Sequence, residues 1–340
     1  MQTPQQPPEV RFTEFFSKIP AVHWIGMRHI FFAISGFLVL GSLALILTRG
    51  LNYSIDFTGG NVVQVSYQTP MDLAGLRGDL EKAGFSDATP QHFTGTQSFS
   101  IRMKGAENAT DAAGEHILAG LKAARPEAEF VLDKKEFVGP AVGQHLFKQA
   151  VFAVVFSLLG IIVYVAFRFA NPVWGIAGVM ALAHDVTSTF GLYALLQLEF
   201  DLTAVAVVLT IAGFSINDTI VIFDRLREKM RTMRSESFEA VANASINETL
   251  SRTIITSLTV FITVLSLLFL GGRTIHNFAV ALTFGLVVGA YSTIAIALQI
   301  VHQWNLMQAG HPAHAHAHAS EAPKKDAPPP PHGGRKSHRR

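Results

Sequence analysis

The chain has 340 residues, of which 49% are hydrophobic and 15% are charged, and it contains no cysteine. Ordinary soluble domains carry roughly 25% charged residues, so this composition, with a mean hydropathy of +0.32, indicates a membrane protein. The absence of cysteine excludes disulfides and thiolate chemistry, and the net charge of +2 is too small to indicate a nucleic-acid partner.

Six apolar stretches are long enough to cross a bilayer as helices, which takes about 20 residues. Four carry no charge and two contain polar interruptions; in chain order the six are 30–47, 150–167, 173–198, 202–223, 253–270 and 278–301. The sequence therefore predicts a polytopic α-helical membrane protein with six transmembrane helices.

An N-terminal segment, 1–28, precedes the first predicted transmembrane helix at 29–48. The apolar run in this helix lacks a small-residue cleavage site and is followed by Arg49. It is therefore predicted to be retained rather than cleaved as a signal peptide.

The segment 49–145 lies between the first two predicted helices and begins with the motif IDFTGG. Its Gly59 and Gly60 predict a tight turn, and Asp56 is expected to fix the junction with the first membrane helix. Hydrophobic periodicity then predicts strand, helix, strand, strand, helix and strand, at 61–67, 72–83, 91–94, 98–103, 111–124 and 128–132. This order is typical of a ferredoxin-like α+β module.

The remaining helices, 146–303, carry ionisable residues inside apolar sequence. The third helix holds His184 and Asp185 near its middle, and the fourth holds Asn217 and Asp218. A charged side chain at the bilayer centre costs about 2.5 to 3.5 kcal/mol on insertion scales, so such residues usually face a bundle interior and serve a function.

The distribution of Lys and Arg predicts the orientation. Positive residues occupy the loops after the second and fourth helices, the latter predicted as a cytoplasmic loop at 225–250 with a helix along the inner surface. The outer turn at 199–201 has none, and the loop after the fifth helix has only Arg273. Because positive loops stay in the cytoplasm, both termini are predicted to be cytoplasmic and the segment 49–145 to lie outside.

The tail at 304–340 is rich in His, Pro, Lys and Arg. Alternating histidines such as those in HPAHAHAHA can bind metal, but this composition favours a disordered basic tail near the inner leaflet. No metal site or cofactor is predicted elsewhere, and no phosphate-binding G-x-x-x-x-G-K-[ST] motif occurs, so ATP hydrolysis by that route is not expected.

Asp218 is the strongest candidate for a functional residue. It lies about five residues from the inner end of its helix, roughly 7 Å deep at 1.5 Å per residue, and Arg252 begins the fifth helix at the same face. The long Arg252 side chain could reach Asp218, and protonation of the carboxylate would then release the guanidinium. The pair is therefore a candidate switch, and a static ion pair between two helices is the alternative.

Three neighbouring residues have two interpretations each. Asn217 could donate to the Asp218 carboxylate or hold water, or it could bond a neighbouring helix. His184 and Asp185 could extend a proton relay, or they could form a satisfied hydrogen bond between helices.

Five motifs lie at corresponding topological places over six helices: IDFTGG, VGPAVG, HDV, GFSINDTIVIFDRLRE and LSRTIITS. Together they resemble the SecF family of bacterial protein-export membrane proteins, which is similar to half of an RND-type transporter. The resemblance covers roughly residues 20 to 303. It implies that Asp218 and Arg252 take part in proton passage with a carboxylate supplied by SecD.

The resemblance also implies the cell role and the partners. The chain is expected in the inner membrane, with SecD beside the SecYEG channel and with YajC as a further candidate partner. There it would use the proton-motive force to pull an unfolded preprotein outward after the ATP-driven step. Two alternatives remain, half of an RND-type small-molecule exporter and a passive scaffold of the channel; the single outer segment of under 100 residues disfavours the exporter.

Overall fold

The computed structural model describes residues 22–67, 72–92, 98–104, 112–169, 171–272 and 275–309. Most of the predicted N-terminal segment and the tail from residue 310 onward lie outside this description. Six helices are long and apolar enough to span a membrane, which confirms the predicted number. Two further helices and a four-stranded sheet form the module between the first two spans.

The helices are α1 Arg28–Arg49, α2 Ile55–Thr58, α3 Leu73–Lys82, α4 Ala113–Ala124, α5 Pro140–Phe169, α6 Pro172–Leu196, α7 Leu202–Thr232, α8 Phe238–Leu270, α9 His276–Ser292 and α10 Leu298–Ala309. The strands are β1 Asn52–Tyr53, β2 Gly60–Ser66, β3 Thr89–His92, β4 Ser98–Lys104, β5 Val131–Val138 and β6 Glu199–Phe200. The spans in order are α1, α5, α6, α7, α8 and α9 with α10.

We call the module between the first two spans the outer module, and the helix ends beside it the outer ends, after the predicted orientation. The module has the predicted ferredoxin-like fold. Its sheet has the order β3-β4-β2-β5, with every neighbouring pair antiparallel. Alternate residues of β2 and β4 point into one core with α3 and α4, because successive side chains of a strand face opposite sides. Those core residues are Val63, Val65, Leu76, Leu80, Phe99, Ile101, Ile117 and Leu121. Asp72 is the N-cap of α3, and its carboxylate accepts a hydrogen bond from Gly75 N at 2.8 Å.

The last strand of the module differs from its prediction. The apolar run predicted a strand at 128–132, whereas β5 covers Val131–Val138 and Ala128 ends a short 3₁₀ turn. The strand is at the edge of the sheet and most of its side chains are exposed. Charged residues are common on edge strands because they discourage pairing with other chains, so hydrophobicity alone does not reveal such a strand.

A small parallel sheet that the sequence did not predict connects the outer ends of the membrane helices. Strand β1 follows α1 and pairs with β6, which links α6 to α7, with Asn52 opposite Glu199 and Tyr53 opposite Phe200. Each strand has two residues, which is too short for a periodic signal.

The inner ends of α7 and α8 also differ from the prediction. Instead of a cytoplasmic loop at 225–250 with a surface helix, α7 continues to Thr232 and α8 begins at Phe238, with Ser237 as its N-cap. Arg225 and Lys229 of α7 both form ion pairs with Glu248 of α8. These cross-helix pairs stabilise the charged ends as helix, so the connection shortens to a turn.

Side-chain amides of α8 and α10 hold the residues that precede α1. Trp24 Nε1 donates to Asn247 Oδ1 at 2.9 Å, and Ile25 N donates to Asn243 Oδ1 at 3.1 Å, both on α8. Gln299 of α10 donates through Nε2 to the Trp24 carbonyl at 3.2 Å. Gln299 follows a π-helical turn, Thr293–Ala297, that joins α9 to α10.

A G-x-x-x-G spacing, Gly285 and Gly289, lies where α9 meets α7. A Cβ added at Gly285 would lie 1.9 Å from Ile211 Cδ1, and one at Gly289 would lie 3.3 Å from Ser215 Cβ. Small residues at these positions let the two backbones approach closely.

We expect Gly285→Leu to lower the free energy of unfolding by about 1 to 3 kcal/mol, because overpacking a close contact forces side chains and backbone apart. Thermal unfolding of the detergent-solubilised protein measures the effect. Gly160→Leu is the matched control, since Gly160 of α5 is exposed and an added Cβ there meets nothing within 4 Å. Equal melting temperatures for the two variants would contradict the close contact.

Candidate functional site

Asp185 is the centre of a polar cluster between three membrane helices. Its side chain on α6 is 0% exposed. Ser215 Oγ of α7 and Ser292 Oγ of α9 donate hydrogen bonds to its Oδ2 at 2.5 and 2.7 Å. His184 Nδ1 lies 2.9 Å from its Oδ1. One carboxyl group therefore joins α6, α7 and α9.

His184 is the second member of the predicted pair, and the structure places it in contact with Asp185. Its side chain is buried, and its Nε2 has no hydrogen-bond partner among the described residues. The ring packs against Tyr291, with ring centroids 6.2 Å apart. The free nitrogen leaves one acceptor or donor position open, so the pair can exchange a proton with a water or another chain; this relay role stays a prediction.

Asp218 lies one helical turn after Ser215 on α7 and is 4% exposed. Its Oδ2 is buried and finds no hydrogen-bond partner within the part of the chain that the structure describes. Buried polar groups in folded proteins are nearly always hydrogen-bonded, so each exception calls for an explanation. A carboxyl group with an open, buried oxygen can bind a proton or a partner group at low reorganisation cost.

Arg252 does not contact Asp218 directly. The predicted ion pair is not formed, since no Lys, Arg or His among the described residues lies within 4.0 Å of the Asp218 carboxylate. The Arg252 side chain is exposed on α8, and its charge acts on Asp218 only through electrostatic attraction over a longer distance. Asp218 faces the helix bundle and Arg252 faces outward, which keeps the two groups apart.

Asn217 is exposed, although Asp218 beside it is buried. It belongs to an exposed row of small and polar residues on α7, and a second such row on α8 begins at Arg252. We call these two rows the α7–α8 polar face; its members are Thr203, Ala206, Thr210, Gly213 and Asn217 on α7, and Arg252, Thr256, Thr259, Thr263 and Ser266 on α8. Each α8 hydroxyl in the row donates to the carbonyl four residues earlier. On α8 the row is flanked by exposed apolar side chains, including Ile255 and Ile262.

The junction motif lies at the outer ends of α5 and α7. Gly59 and Gly60 have φ angles of 69° and 134°, which glycine adopts at little cost, and a Cβ on Gly59 would lie 2.8 Å from Pro140 Cα. Asp56 Oδ2 accepts a hydrogen bond from the backbone N of Leu202, the first residue of α7, at 3.4 Å. Burial raises the pKa of the Asp56 carboxyl, and the Leu202 hydrogen bond partly offsets this shift.

Two residues of the Asp185 cluster were not predicted as functional. Ser215 precedes Asp218 by three positions on the same helix face, a spacing that could have revealed it. Ser292 lies on another helix far along the chain, and only the fold brings it to Asp185. Among the described residues, no group of three or more His, Asp or Glu side chains could hold a metal ion.

Comparison with known families decides the assignment. The model of the family "Protein export membrane protein SecD/SecF, C-terminal" matches residues 119–307, and that of the "SecD/SecF GG Motif" matches residues 44–71. The chain belongs to the SecD/SecF family. The second match includes the motif IDFTGG. The family membership predicted from the sequence motifs is therefore confirmed.

Several SecF proteins are similar over most of their length. The Protein translocase subunit SecF of Calditerrivibrio nitroreducens is 41% identical over 295 residues, which cover 86% of this chain and 97% of that protein. The Protein translocase subunit SecF of Vibrio alginolyticus is 41% identical over 269 residues, which cover 78% of this chain and 84% of that one.

Two solved structures of SecDF share the fold. The translocon-associated SecDF of Thermus thermophilus matches with a TM-score of 0.76 and 37% identity, and SecDF in its super-membrane-facing form matches with 0.64 and 36%. The match covers 84% of this chain but 39% of the first SecDF chain, so this member of the SecD/SecF family spans well under half of that protein. The two sequence identities are nearly equal, but the TM-scores differ. The helices and strands of this chain are therefore arranged more like those of the first structure than those of the second.

Proposed function

We propose that this chain is a proton-driven subunit of the Sec preprotein translocase in the bacterial inner membrane, with both termini in the cytoplasm. With SecD, and beside the SecYEG channel and YajC, it promotes the late outward movement of an unfolded preprotein after the ATP-driven step. The observation that carries the proposal is the buried Asp218 carboxyl, whose Oδ2 has no hydrogen-bond partner among the described residues. The relatives named Protein translocase subunit SecF support the cellular role.

The energetics of Asp218 favour two states. A charged carboxylate without a partner is costly in a low-dielectric interior, and its protonated form costs much less. Uptake of a proton from outside and its release inside therefore change the local interactions of α7 in every cycle. A charge that moves through 100 mV gains about 2.3 kcal/mol, which shifts a two-state equilibrium by more than about tenfold.

The α7–α8 polar face supports a membrane-embedded partner. An exposed guanidinium such as that of Arg252 is costly against lipid, and intramembrane charges usually pair with one another. Threonine and glycine rows are typical of surfaces where transmembrane helices pack. A SecD helix that supplies a carboxylate would cover Arg252 and Asn217 and complete the site around Asp218. Six helices are also half of the twelve that the RND-type resemblance implies.

Contact with the moving preprotein can be tested by photo-crosslinking in vivo. Crosslinkers at Lys82 and Lys134, both exposed on the outer module, are expected to capture an arrested secretory chain. The yield should change when the proton gradient is collapsed, because the module then stays in one state. Phe37 of α1, which is 78% exposed on a membrane helix, is the control and should capture no secretory chain. A yield that is independent of the gradient at both module positions would favour the passive scaffold.

A further inference from the structure

Besides the junction motif and the chain connections, one buried arginine joins the outer module to the outer ends of the membrane helices. Arg102 lies on β4, where Phe99, Ile101 and Met103 point into the module core. Alternation places Arg102 on the opposite face of the sheet, and its side chain is only 4% exposed.

The partners of Arg102 lie on the small parallel sheet at the outer ends of the spans. Its Nη1 donates to Asn52 Oδ1 of β1 at 3.1 Å, and its Nη2 forms an ion pair with Glu199 Oε1 of β6 at 2.6 Å. The Arg102 side chain thus extends from β4 of the module sheet to the link between α6 and α7. The Glu199 contact is a charge attraction rather than an aligned hydrogen bond, because Nη2 and Nε of Arg102 have no hydrogen-bond partner among the described residues.

The charges around Glu199 make its contact with Arg102 important. Three further carboxylates, Asp56, Glu136 and Asp201, repel the Glu199 carboxylate, and Arg102 is the cation that attracts it. Burial raises the pKa of Glu199, while Arg102 lowers it. Without the Arg102 charge, this acidic group would push the α6–α7 link away from the module.

The link itself leads directly to the candidate proton site. Asp201, two residues after Glu199, caps the N-terminus of α7 through Ala204 N at 2.8 Å. From there α7 runs without interruption to Asp218, about 24 Å away at 1.5 Å per residue. In the other direction, α6 leads to Asp185. A displacement of either helix therefore moves Glu199.

We infer that the Arg102–Glu199 ion pair is the mechanical coupling between the membrane helices and the outer module. Movement of α6 and α7 during a proton cycle pulls on Glu199, and Arg102 passes that pull to the sheet of the module. This inference rests on the proposed function of Asp218. Arg102 acts through position and does not itself carry protons.

The test separates proton movement from export. The chain is reconstituted with SecD in vesicles to measure proton flux, and each variant is the sole copy in cells to measure gradient-dependent export. Arg102→Gln is expected to leave proton flux unchanged and to lower the gradient-dependent part of export by about tenfold, since removal of one partner leaves a buried charge unpaired. The exchange Arg102→Glu with Glu199→Arg should restore part of the export.

A matched control lies in the same module. Arg125, the residue that follows α4, forms an ion pair with the buried Asp79 through Nε at 2.9 Å. Neither residue belongs to the link between α6 and α7. Arg125→Gln should weaken the module, measured by limited proteolysis, and should retain more export than Arg102→Gln. Equal losses in the two variants would mean that module stability alone matters, and would overturn the inference.

The remaining outcomes are also decisive. If Arg102→Gln exports normally while Asp218→Asn does not, the coupling is elsewhere and the proposed function stands. If Arg102→Gln loses proton flux together with export, or if the exchange Arg102→Glu with Glu199→Arg exports as poorly as Arg102→Gln, the pair is structural and the inference fails. If Asp218→Asn exports normally, the proposed function fails and the inference fails with it.

Discussion

Asp218→Asn is expected to abolish the gradient-dependent part of preprotein export, a loss of about tenfold or more. Asparagine has nearly the shape of aspartate, but its side-chain amide cannot bind or release a proton near neutral pH. The fold should therefore persist while the two-state behaviour of α7 is lost. Export is measured by pulse-chase in a strain that carries only the variant, with and without an uncoupler. The early, ATP-driven step should proceed at the normal rate.

Asp224→Asn provides the control for this experiment. Asp224 lies on the same helix and forms an ion pair with Arg168 of α5, and both side chains are more than a third exposed. Exposed pairs contribute only about 0 to 1 kcal/mol, so Asp224→Asn should export almost normally. If Asp218→Asn behaved like Asp224→Asn, the passive scaffold would be the better account of the chain.

The second large effect is expected at Asp185, where two substitutions separate structure from proton transfer. Asp185→Ala removes the acceptor of Ser215 and the partner of His184 Nδ1, while Ser292 Oγ keeps the Gly289 carbonyl as an acceptor. Each buried group left without a partner costs about 1 to 3 kcal/mol, so this variant should lose several kcal/mol of stability. Asp185→Asn keeps an acceptor oxygen and should remain folded, but it cannot relay protons, so proton flux should fall by about tenfold.

Both Asp185 variants are measured for melting temperature in detergent and for proton flux in vesicles with SecD. Ser292→Ala is the control, because it removes one hydrogen bond but no titratable group. Full proton flux in Asp185→Asn would mean that the carboxyl group only clamps α6, α7 and α9 together. That result would retain the hydrogen-bond alternative and remove Asp185 from the proton path.

The elements with strong local signals could be predicted from the sequence. Apolar length identified the six spans, and hydrophobic periodicity identified α3 and the order of the module. The membrane carboxylates Asp185 and Asp218 were found because charge inside apolar sequence is rare. These signals need no knowledge of distant contacts.

The parts that depend on distant contacts could not be predicted. Ser292 and Arg102 look like ordinary residues of a helix and a strand, and only the fold places them beside Asp185 and Glu199. The position of Arg252 shows the opposite error. Its depth in the bundle, close to that of Asp218, suggested an ion pair. However, Arg252 lies on the side of α8 that faces away from the bundle, so its side chain points outward. Sequence spacing gives depth in the membrane, whereas side-chain direction requires the packed helices.

The π-helical turn Thr293–Ala297 has a consequence for the inner end of the sixth span. Such a turn accommodates one extra residue in an α-helix, and each residue of an α-helix rotates the chain by about 100°. Deleting one residue there would swing Gln299 about a quarter of the way round the helix, away from the Trp24 carbonyl that it bonds. The contact that holds the start of the first span is thus set by the winding of the last one.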